Sequence, residues 1–593
     1  MTRMPKIKNK LIIKPAQTGL KKIFFVHLGL ILLSSLLFTL SFPNPLFTGG
    51  VFFLAWFAFV PLLIVIKKSS LLFCAGWGLI YGFMSYFLFN YWLGNFHPLA
   101  GTLVYTIYSV YLSLVFVLLK LTGIFFEKRA YLVQWIIWLS YEYLKTTGFL
   151  GYPYGVIGYS QWQIIPLIQI AGITGVWGIS ALVTFPSFWL SEAISKKEDL
   201  SQRHKSAEDT EKNKGGKSLY SKLLDFFFVF LVPQRLCVNS SRIKVSAIIW
   251  LAALIAALFF GFINMKDFSA YPSAQIALIQ HNTDPWQASR APTPWLRNEA
   301  YRKDLNTLSA LSDEALVSTP KPQLVVWPET AFIPRIYWHT THRDDQNSWA
   351  IVRDLLSYLS KQDVPFLIGN DDARIEPAIN PDENNRHRVD YNAAMLFENG
   401  INTAAYRKLH LVPFTEHFPY KKQFPWIYNW LVNQKTTFWE KGREETIFSV
   451  NGFTFAAPIC FEDTFGYLSR NFVRNGAGLL VNLSNDAWSN SLSAQYQHLT
   501  MAVFRTVENN RSMVRSTSSG QTCAIDPNGR IIAMAAPFTE TWLNISVPLA
   551  EKTTIYTLYG DFLAVLFVIL AVILLLSGAF YCTMKKLKSR GQS

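Results

Sequence analysis

Seven apolar runs precede a long stretch of mixed polarity, and an eighth follows it. A helix needs about 20 apolar residues to cross the hydrocarbon core of a bilayer. Runs near residues 23–42, 50–66, 71–92, 103–126, 131–148, 164–190 and 246–264 come close to or exceed that length, as does one at 561–581. The first is too long for the core of a cleaved signal peptide, and further spans follow it directly. The sequence therefore predicts a bundle of eight transmembrane helices with a large polar domain inserted before the last.

The loops orient the bundle. Arg3, Lys6, Lys8, Lys10, Lys14, Lys21 and Lys22 precede the first span, and Lys67 and Lys68 follow the second. Lys128 and Arg129 follow the fourth, eleven Lys or Arg lie in 191–245, and Lys585, Lys586, Lys588 and Arg590 close the chain. The intervening loops at 42–49, 93–102 and 148–163 have none. Positive charge stays on the cytoplasmic side of a membrane. Both termini are thus expected in the cytoplasm and the polar domain on the opposite, outer side of the membrane. The net charge of +16 is distributed beside the spans rather than along a stripe, which argues against nucleic acid as a partner.

The expected parts are a basic N-terminus (1–22), seven spans (23–264), the polar domain (265–557), and a last span with a basic tail (558–593). Within the second part, 191–245 is a cytoplasmic loop. Its Lys-, Glu- and Ser-rich portion reads as solvated, and Phe226–Val232 is too short to span and reads as interfacial. A transporter is disfavoured, because the spans hold few ionisable residues besides Lys120, Glu142 and Lys145.

The polar domain alternates buried strands with helical patterns, which argues an α/β layered fold with site residues at strand ends. Strands are expected at 275–280, 324–327, 366–369, 393–397 and 478–482, with helices at 301–316 and 349–359. Three strand ends carry chemistry. Pro328 stops one and leaves Glu329 at its mouth; Lys408 follows a second; Cys460 ends the run Phe455–Ile459. A thiol with a pKa of roughly 8.5 needs a base or a cation to act near neutrality. Glu329 can serve as that base, and Lys408 can stabilise the thiolate and then an oxyanion. Acidic residues follow Cys460, then helical spacing over Tyr467–Arg474, and a helix N-terminus at this strand-to-helix turn would also favour the thiolate. Taken singly, each has a plain alternative: a surface glutamate, a surface lysine, a buried structural cysteine. A Cys460–Cys523 disulfide is the structural alternative for the only two cysteines of the polar domain.

The order Glu329, Lys408, Cys460 resembles the catalytic triad of the nitrilase (carbon–nitrogen hydrolase) superfamily, whose fold is an αββα sandwich. Within it, a nitrilase domain held outside the membrane between seven spans and one resembles the apolipoprotein N-acyltransferases. The segments around Trp327–Thr330, Tyr406–Pro419, Pro458–Asp463, Asn482–Trp488 and Gln280–Asn282 match that family's pattern. The resemblance implies Glu329 as base, Lys408 as transition-state stabiliser and Cys460 as nucleophile. It implies support from Glu416 and Glu462, and substrate contacts from Trp488, Trp286 and Phe461. It further implies a membrane phospholipid as acyl donor, a diacylglyceryl apolipoprotein as acceptor, and no cofactor. Many members carry Gly at the positions of His281 and Thr415, and Tyr at that of Phe461, so no hydroxyl adjoins the nucleophile here.

A membrane-tethered amidase acting on a small C–N substrate shares the triad and is the competing expectation. The aromatics of 424–439 read either as an acyl-chain gate or as core. His339 and His342 lack a third ligand, so no metal is expected. Arg505, Arg511 and Arg515 read either as ligands of a lipid phosphate or, by default, as partners of Glu508 and its neighbours, and Asp371-Asp372 reads as a turn.

Overall fold

The computed structural model describes residues 17–96, 98–126, 129–208, 241–284, 291–376, 387–433 and 438–590. Trp286, Cys237, the Phe226–Val232 piece and most of the 191–245 loop lie outside the described residues.

Among the described residues five helices are long and apolar enough to cross a bilayer: Lys21–Ser41, Leu71–Phe89, Ala100–Phe126, Ile243–Asn264 and Phe562–Ser589. The other three expected spans are shorter or interrupted. The run at 50–66 becomes a 3₁₀ turn, Phe52–Trp56, and a nine-residue helix, Val60–Lys68. That at 131–148 is a fifteen-residue helix, Ala130–Leu144. The run at 164–190 starts with the one-turn helices Ile165–Ile168 and Ala171–Thr174 before the helix Val176–Glu208. Pro61 and Pro166 sit in first turns, where no N–H is required. Gly175 breaks the last run with φ 63°, where a Cβ would press on the Tyr556 ring at 2.7 Å. Irregular backbone at membrane depth needs internal partners. Gln161 supplies some, accepting from Trp56 Nε1 at 3.1 Å and donating to the Phe52 carbonyl at 3.0 Å.

The polar domain is built on two six-stranded sheets. One has the order β12-β1-β2-β3-β4-β5, with β1 Ser273–Gln280, β2 Leu324–Val326, β3 Phe366–Glu376, β4 His387–Glu398, β5 Ile401–Arg407 and β12 Thr541–Pro548. The other has the order β11-β10-β9-β8-β7-β6, with β6 Phe448–Val450, β7 Phe453–Ala456, β8 Leu479–Ser484, β9 Ser512–Thr517, β10 Cys523–Ile525 and β11 Ile531–Met534. Side chains alternate across a strand, and β1 shows the consequence. Ile276 and Leu278 enter the core between the sheets with Phe455, Val481 and Met513. Ala277 and Ile279 face the other way, against Leu305, Leu308, Ile351 and Leu355 of the helices Pro294–Leu316 and Gln346–Leu359. Both faces of the strand are covered, which is why it reads as an unbroken apolar run. The helices Gly466–Arg474 and Leu492–Asn509 accompany the second sheet, giving the expected αββα sandwich.

Asp371 and Asp372 lie inside β3, not in a turn. β3 and β4 pair antiparallel from Phe366 opposite Phe397 to Glu376 opposite His387. Asp372 is accommodated there by ion pairs to Arg374 at 2.8 Å and Arg407 at 2.9 Å. The sandwich is bonded to the outer ends of the helical part. Gln497 accepts from Trp92 Nε1 at 3.0 Å and donates to the carbonyls of Pro43 and Phe89. Asn95 donates to the Ser489 carbonyl at 2.6 Å; within the helical part, Trp177 Nε1 donates at 2.7 Å to Asp561, just before the last helix.

Candidate active site

Three connections leave strand ends, two in one sheet and one in the other, and converge. β2 runs into Trp327-Pro328-Glu329, β5 into Lys408, and β7 into the segment that reaches Cys460. Gly369 on β3 makes room for the first: a Cβ there would overlap the Pro328 carbonyl and lie 2.7 Å from the Glu329 Cα. Three side-chain-bearing residues beside the convergence hold left-handed backbone, Thr330 (φ 49°), Phe414 (φ 63°) and Cys460 (φ 51°). Each such residue costs on the order of 1–2 kcal/mol and persists only where its surroundings fix it.

The surroundings are polar and buried. Lys408, fully buried, places Nζ 3.2 Å from Glu329 Oε1 and 2.9 Å from Glu416 Oε1. Burial opposes its charge, but the two carboxylates outweigh this and hold its pKa well above the ordinary lysine value. Glu416 is itself raised by burial against the pull of Lys408, and its Oε2 accepts from the Val412 N–H at 2.9 Å. Glu329 takes two further bonds: Asn392 Nδ2 donates to Oε1 and the Asn485 N–H to Oε2, each at 2.9 Å. The backbone at Asn392 also accepts from the Lys408 N–H at 2.8 Å, so one residue positions both Glu329 and Lys408.

Cys460 begins a 3₁₀ turn, Cys460–Thr464, and the helix follows only at Gly466. The expected stabilisation of a thiolate by a helix start therefore does not arise, since a single tight turn carries little dipole. Burial pushes the thiol well above its ordinary value, and the Glu329 carboxylate adds to this against Lys408. Cys460 and Cys523 are both free thiols, not a disulfide.

Glu462 works on the backbone. Its Oε1 accepts from the N–H groups of Leu409 (2.7 Å) and His410 (2.9 Å), and its Oε2 from that of Ile459 (2.7 Å). Tyr406 OH bonds both oxygens at 2.8 and 2.9 Å. One carboxylate thus ties the lysine connection to the Cys460 turn, while burial pushes it up to about 7.

Phe461 is buried in an aromatic cluster, nearly parallel to Tyr154 with centroids 6.5 Å apart and edge-on to Phe465 at 4.9 Å. Trp488 packs on Trp92 of the helical part at 5.7 Å. The 424–439 aromatics divide: Phe424, Trp426 and Trp430 are exposed on and beside the short helix Pro425–Asn433, whereas Trp439 is buried and donates to Asp371 at 3.1 Å. Beside the Cys460 turn a cavity of about 550 Å³ is lined by Phe149, Trp177, His410, Phe465, Arg505 and Asp561 among others. The arginines pair as expected for Arg505 with Glu508 (2.8 Å) and for Arg515 with Asp463; Arg511 instead donates to backbone carbonyls. His342 stacks on Trp338 at 3.9 Å, and His339 lies 3.6 Å from Asp344.

The residues missed from sequence are Asn392, Asn485 and Gly369. Asn485 stood within a matching motif, and Asn392 immediately before an apolar strand segment. Their partners are 156 and 63 residues away in the chain, so only the folded sandwich shows the pairing.

Comparison with known proteins fits this geometry. Residues 275–555 match the carbon–nitrogen hydrolase family, and residues 34–189 match the apolipoprotein N-acyltransferase N-terminal domain. Apolipoprotein N-acyltransferase 1 of Treponema denticola is 41% identical over 93% of this chain and 96% of that protein. The protein of the same name from Treponema pallidum is 43% identical over 93% and 95%. Among solved structures, Saccharomyces cerevisiae Nit3, of branch 10 of the nitrilase superfamily, is 17% identical with a TM-score of 0.33, covering 48% of this chain and 93% of that one. With close relatives matched along nearly their whole length, and both halves of the chain matched by their own domains, the chain belongs to the apolipoprotein N-acyltransferase family.

Proposed function

We propose that the protein moves a fatty acyl chain from a membrane phospholipid to the N-terminal α-amine of a diacylglyceryl-cysteine apolipoprotein, through a thioester on Cys460. Glu329 takes the thiol proton as sulfur adds to the ester carbonyl, and Lys408 neutralises the oxyanion. Glu329 returns the proton to the departing lysophospholipid alcohol, leaving the thioester. The acceptor amine then adds to the thioester carbonyl and gives a proton to Glu329. Collapse forms the amide, and sulfur recovers the proton as thiol. No net charge or redox change is required, and no cofactor enters any step.

One observation carries the reading: Lys408, buried, bonds at once to Glu329 and Glu416 in a chain of this family whose Cys460 turn is fixed to the lysine connection by Glu462. The buried aromatics around Phe461 support it too, since an acyl-enzyme survives only where water is kept away. The site is read as facing the periplasmic or outer side of the cytoplasmic membrane. The test is intact-mass analysis of the purified protein in mixed micelles with phospholipid and no acceptor. An acyl mass on Cys460, absent from Cys460→Ala and discharged by a diacylglyceryl lipopeptide, is the expected result. Release of ammonia from small amides with no acyl adduct would replace this reading by the amidase one.

A further inference from the structure

Behind the Cys460 turn lies a group of four buried charges that the steps above do not use. Asp463, three residues after the nucleophile, is fully buried; one oxygen lies 2.7 Å from His498 Nε2 and the other pairs with Arg515. His498, on the helix Leu492–Asn509, presents its other nitrogen to Asp486 at 3.2 Å. Asp486 in turn lies 3.6 Å from Arg515 Nη2. Each imidazole nitrogen meets a carboxylate, which favours a proton on both; Arg515 Nη2, 3.3 Å from Nδ1, opposes the second proton, and the two carboxylates outweigh it. With an imidazolium, the group holds two negative and two positive charges, the balance that buried ions require.

The two carboxylates belong to segments with different tasks. Asp463 lies in the 3₁₀ turn that starts at Cys460. Asp486 follows Asn485, whose N–H holds Glu329 Oε2, and precedes Trp488 by two residues. A few residues earlier, Asn482 Nδ2 donates to the carbonyls of Pro458 (3.1 Å) and Cys460 (3.3 Å). The stretch 482–488 thus touches the nucleophile turn at one end and the base at the other. We propose that His498 is a positioning residue, bridging Asp463 and Asp486 so that the Cys460 sulfur and the Glu329 carboxylate keep the separation proton transfer requires. This rests on the catalytic roles given above to Cys460 and Glu329.

The surroundings keep His498 charged. Burial disfavours the imidazolium, but Asp463 and Asp486 outweigh burial and the Arg515 guanidinium, and push it up to about 9. The other titratable groups facing the cluster are Tyr154 from the 151–155 loop, Cys523 from β10 and Cys460 itself, all held neutral by burial. Nδ1, with Arg515 Nη2 3.3 Å away, is the nitrogen that gives up its proton more readily, and that loss leaves Asp486 with only the 3.6 Å approach of Arg515 and frees the anchoring segment of Glu329.

The experiment uses full-length protein in micelles of equal parts phosphatidylethanolamine and phosphatidylglycerol. The rate of Cys460 acylation is followed by intact mass from pH 6 to 10, and alkylation of Cys460 by iodoacetamide is followed in parallel without lipid. His498→Gln is expected to acylate roughly tenfold or more slowly at pH 7.5, since small displacements at a reacting pair cost at least that much. The lipid concentration for half-maximal rate should not change. The native rate should fall as pH rises through about 9, and that limb should be missing in the variant. Asp486→Asn, which keeps the Asp463–His498–Arg515 contacts, should slow acylation similarly, and serves if His498→Gln does not accumulate. A folded variant with native acylation, or with the alkaline limb unmoved, overturns the proposal. If native protein forms no adduct at all, the transfer reading fails instead. The alkylation profile then decides the positioning role, which is rejected if native protein and variant coincide.

Discussion

Burial and the Glu329 carboxylate raise the Cys460 thiol, so in the proposed mechanism the nucleophile is generated during attack and not stored as a thiolate. Iodoacetamide should therefore modify Cys460 slowly near pH 7, with the rate climbing only above the ordinary thiol range. Glu329→Gln removes one charge that raises the thiol, so the alkylation midpoint should shift to lower pH. The same change removes the base, and acyl-adduct formation should fall by roughly a thousandfold or more, at the upper end of what one general base supplies. Rapid alkylation of native protein at pH 6–7 would contradict this ordering of base and nucleophile. Glu462 invites a different substitution. Its oxygens accept from three backbone N–H groups and the Tyr406 hydroxyl, and Glu462→Gln turns an amide NH₂ toward donors. Leaving a buried donor unmatched costs about 1–3 kcal/mol, so the variant should show a lower melting temperature as well as little acylation. Loss of acylation with unchanged melting would instead mean direct participation in the chemistry.

Strand ends were legible because their stop signals are local: Pro328 after Trp327, Cys460 after an apolar run. What those ends meet was not. Asn392, Asn485 and His498 find Glu329 and Asp463 only because β2, β4 and β8 and the helix Leu492–Asn509 come side by side in the sandwich. The helix at Gly466–Arg474 was legible, but the tight 3₁₀ turn that separates it from Cys460 was not, for a related reason. Glu462 returns to the Ile459 N–H and winds the backbone tightly there, which apolar spacing does not register. Likewise Asp372 inside β3 needs Arg407, 35 residues on, to be tolerable in a strand. Gly369 belongs to this scale, since its missing Cβ sets the distance between β3 and the Glu329 connection. Gly369→Ala should displace the base and lower the acylation rate by about a hundredfold with little change in half-saturating lipid. A second expectation concerns the helix carrying His498. Its folded pKa of about 9 exceeds the unfolded value of 6.5, so its stabilisation is complete below pH 6.5 and lost as pH rises through 9. Native melting temperature should decline across that window more than that of His498→Gln.

At the scale of the whole molecule, among the described residues, Lys67 and Lys120 gather at one end of the helical part and the sandwich is bonded at the other. Lys67, ending Val60–Lys68, pairs at 2.9 Å with Glu192 of the helix Val176–Glu208, and Lys120 donates to the Lys67 carbonyl at 2.9 Å. These contacts bring the basic ends of the second, fourth and sixth apolar runs together. The other ends, at Pro43, Trp92 and Trp177, bond instead to Gln497 and Asp561 beside the sandwich. Alternate loops were legible as one-sided from charge alone, because charge is kept to one face during insertion whatever the helix length. Helix lengths were not, since the short and broken segments are completed by neighbouring protein such as Gln161 and not by lipid. The sidedness follows if positive ends are cytoplasmic. A cysteine placed at the exposed Ile375 of β3 should react with a membrane-impermeant maleimide in intact spheroplasts, and one placed at Lys196 only after permeabilisation. The reverse pattern would put the acylating site in the cytoplasm, where a lipoprotein amine exposed on the outer face could not reach it. Labelling of both sites in intact cells would mean that the interrupted segments do not cross.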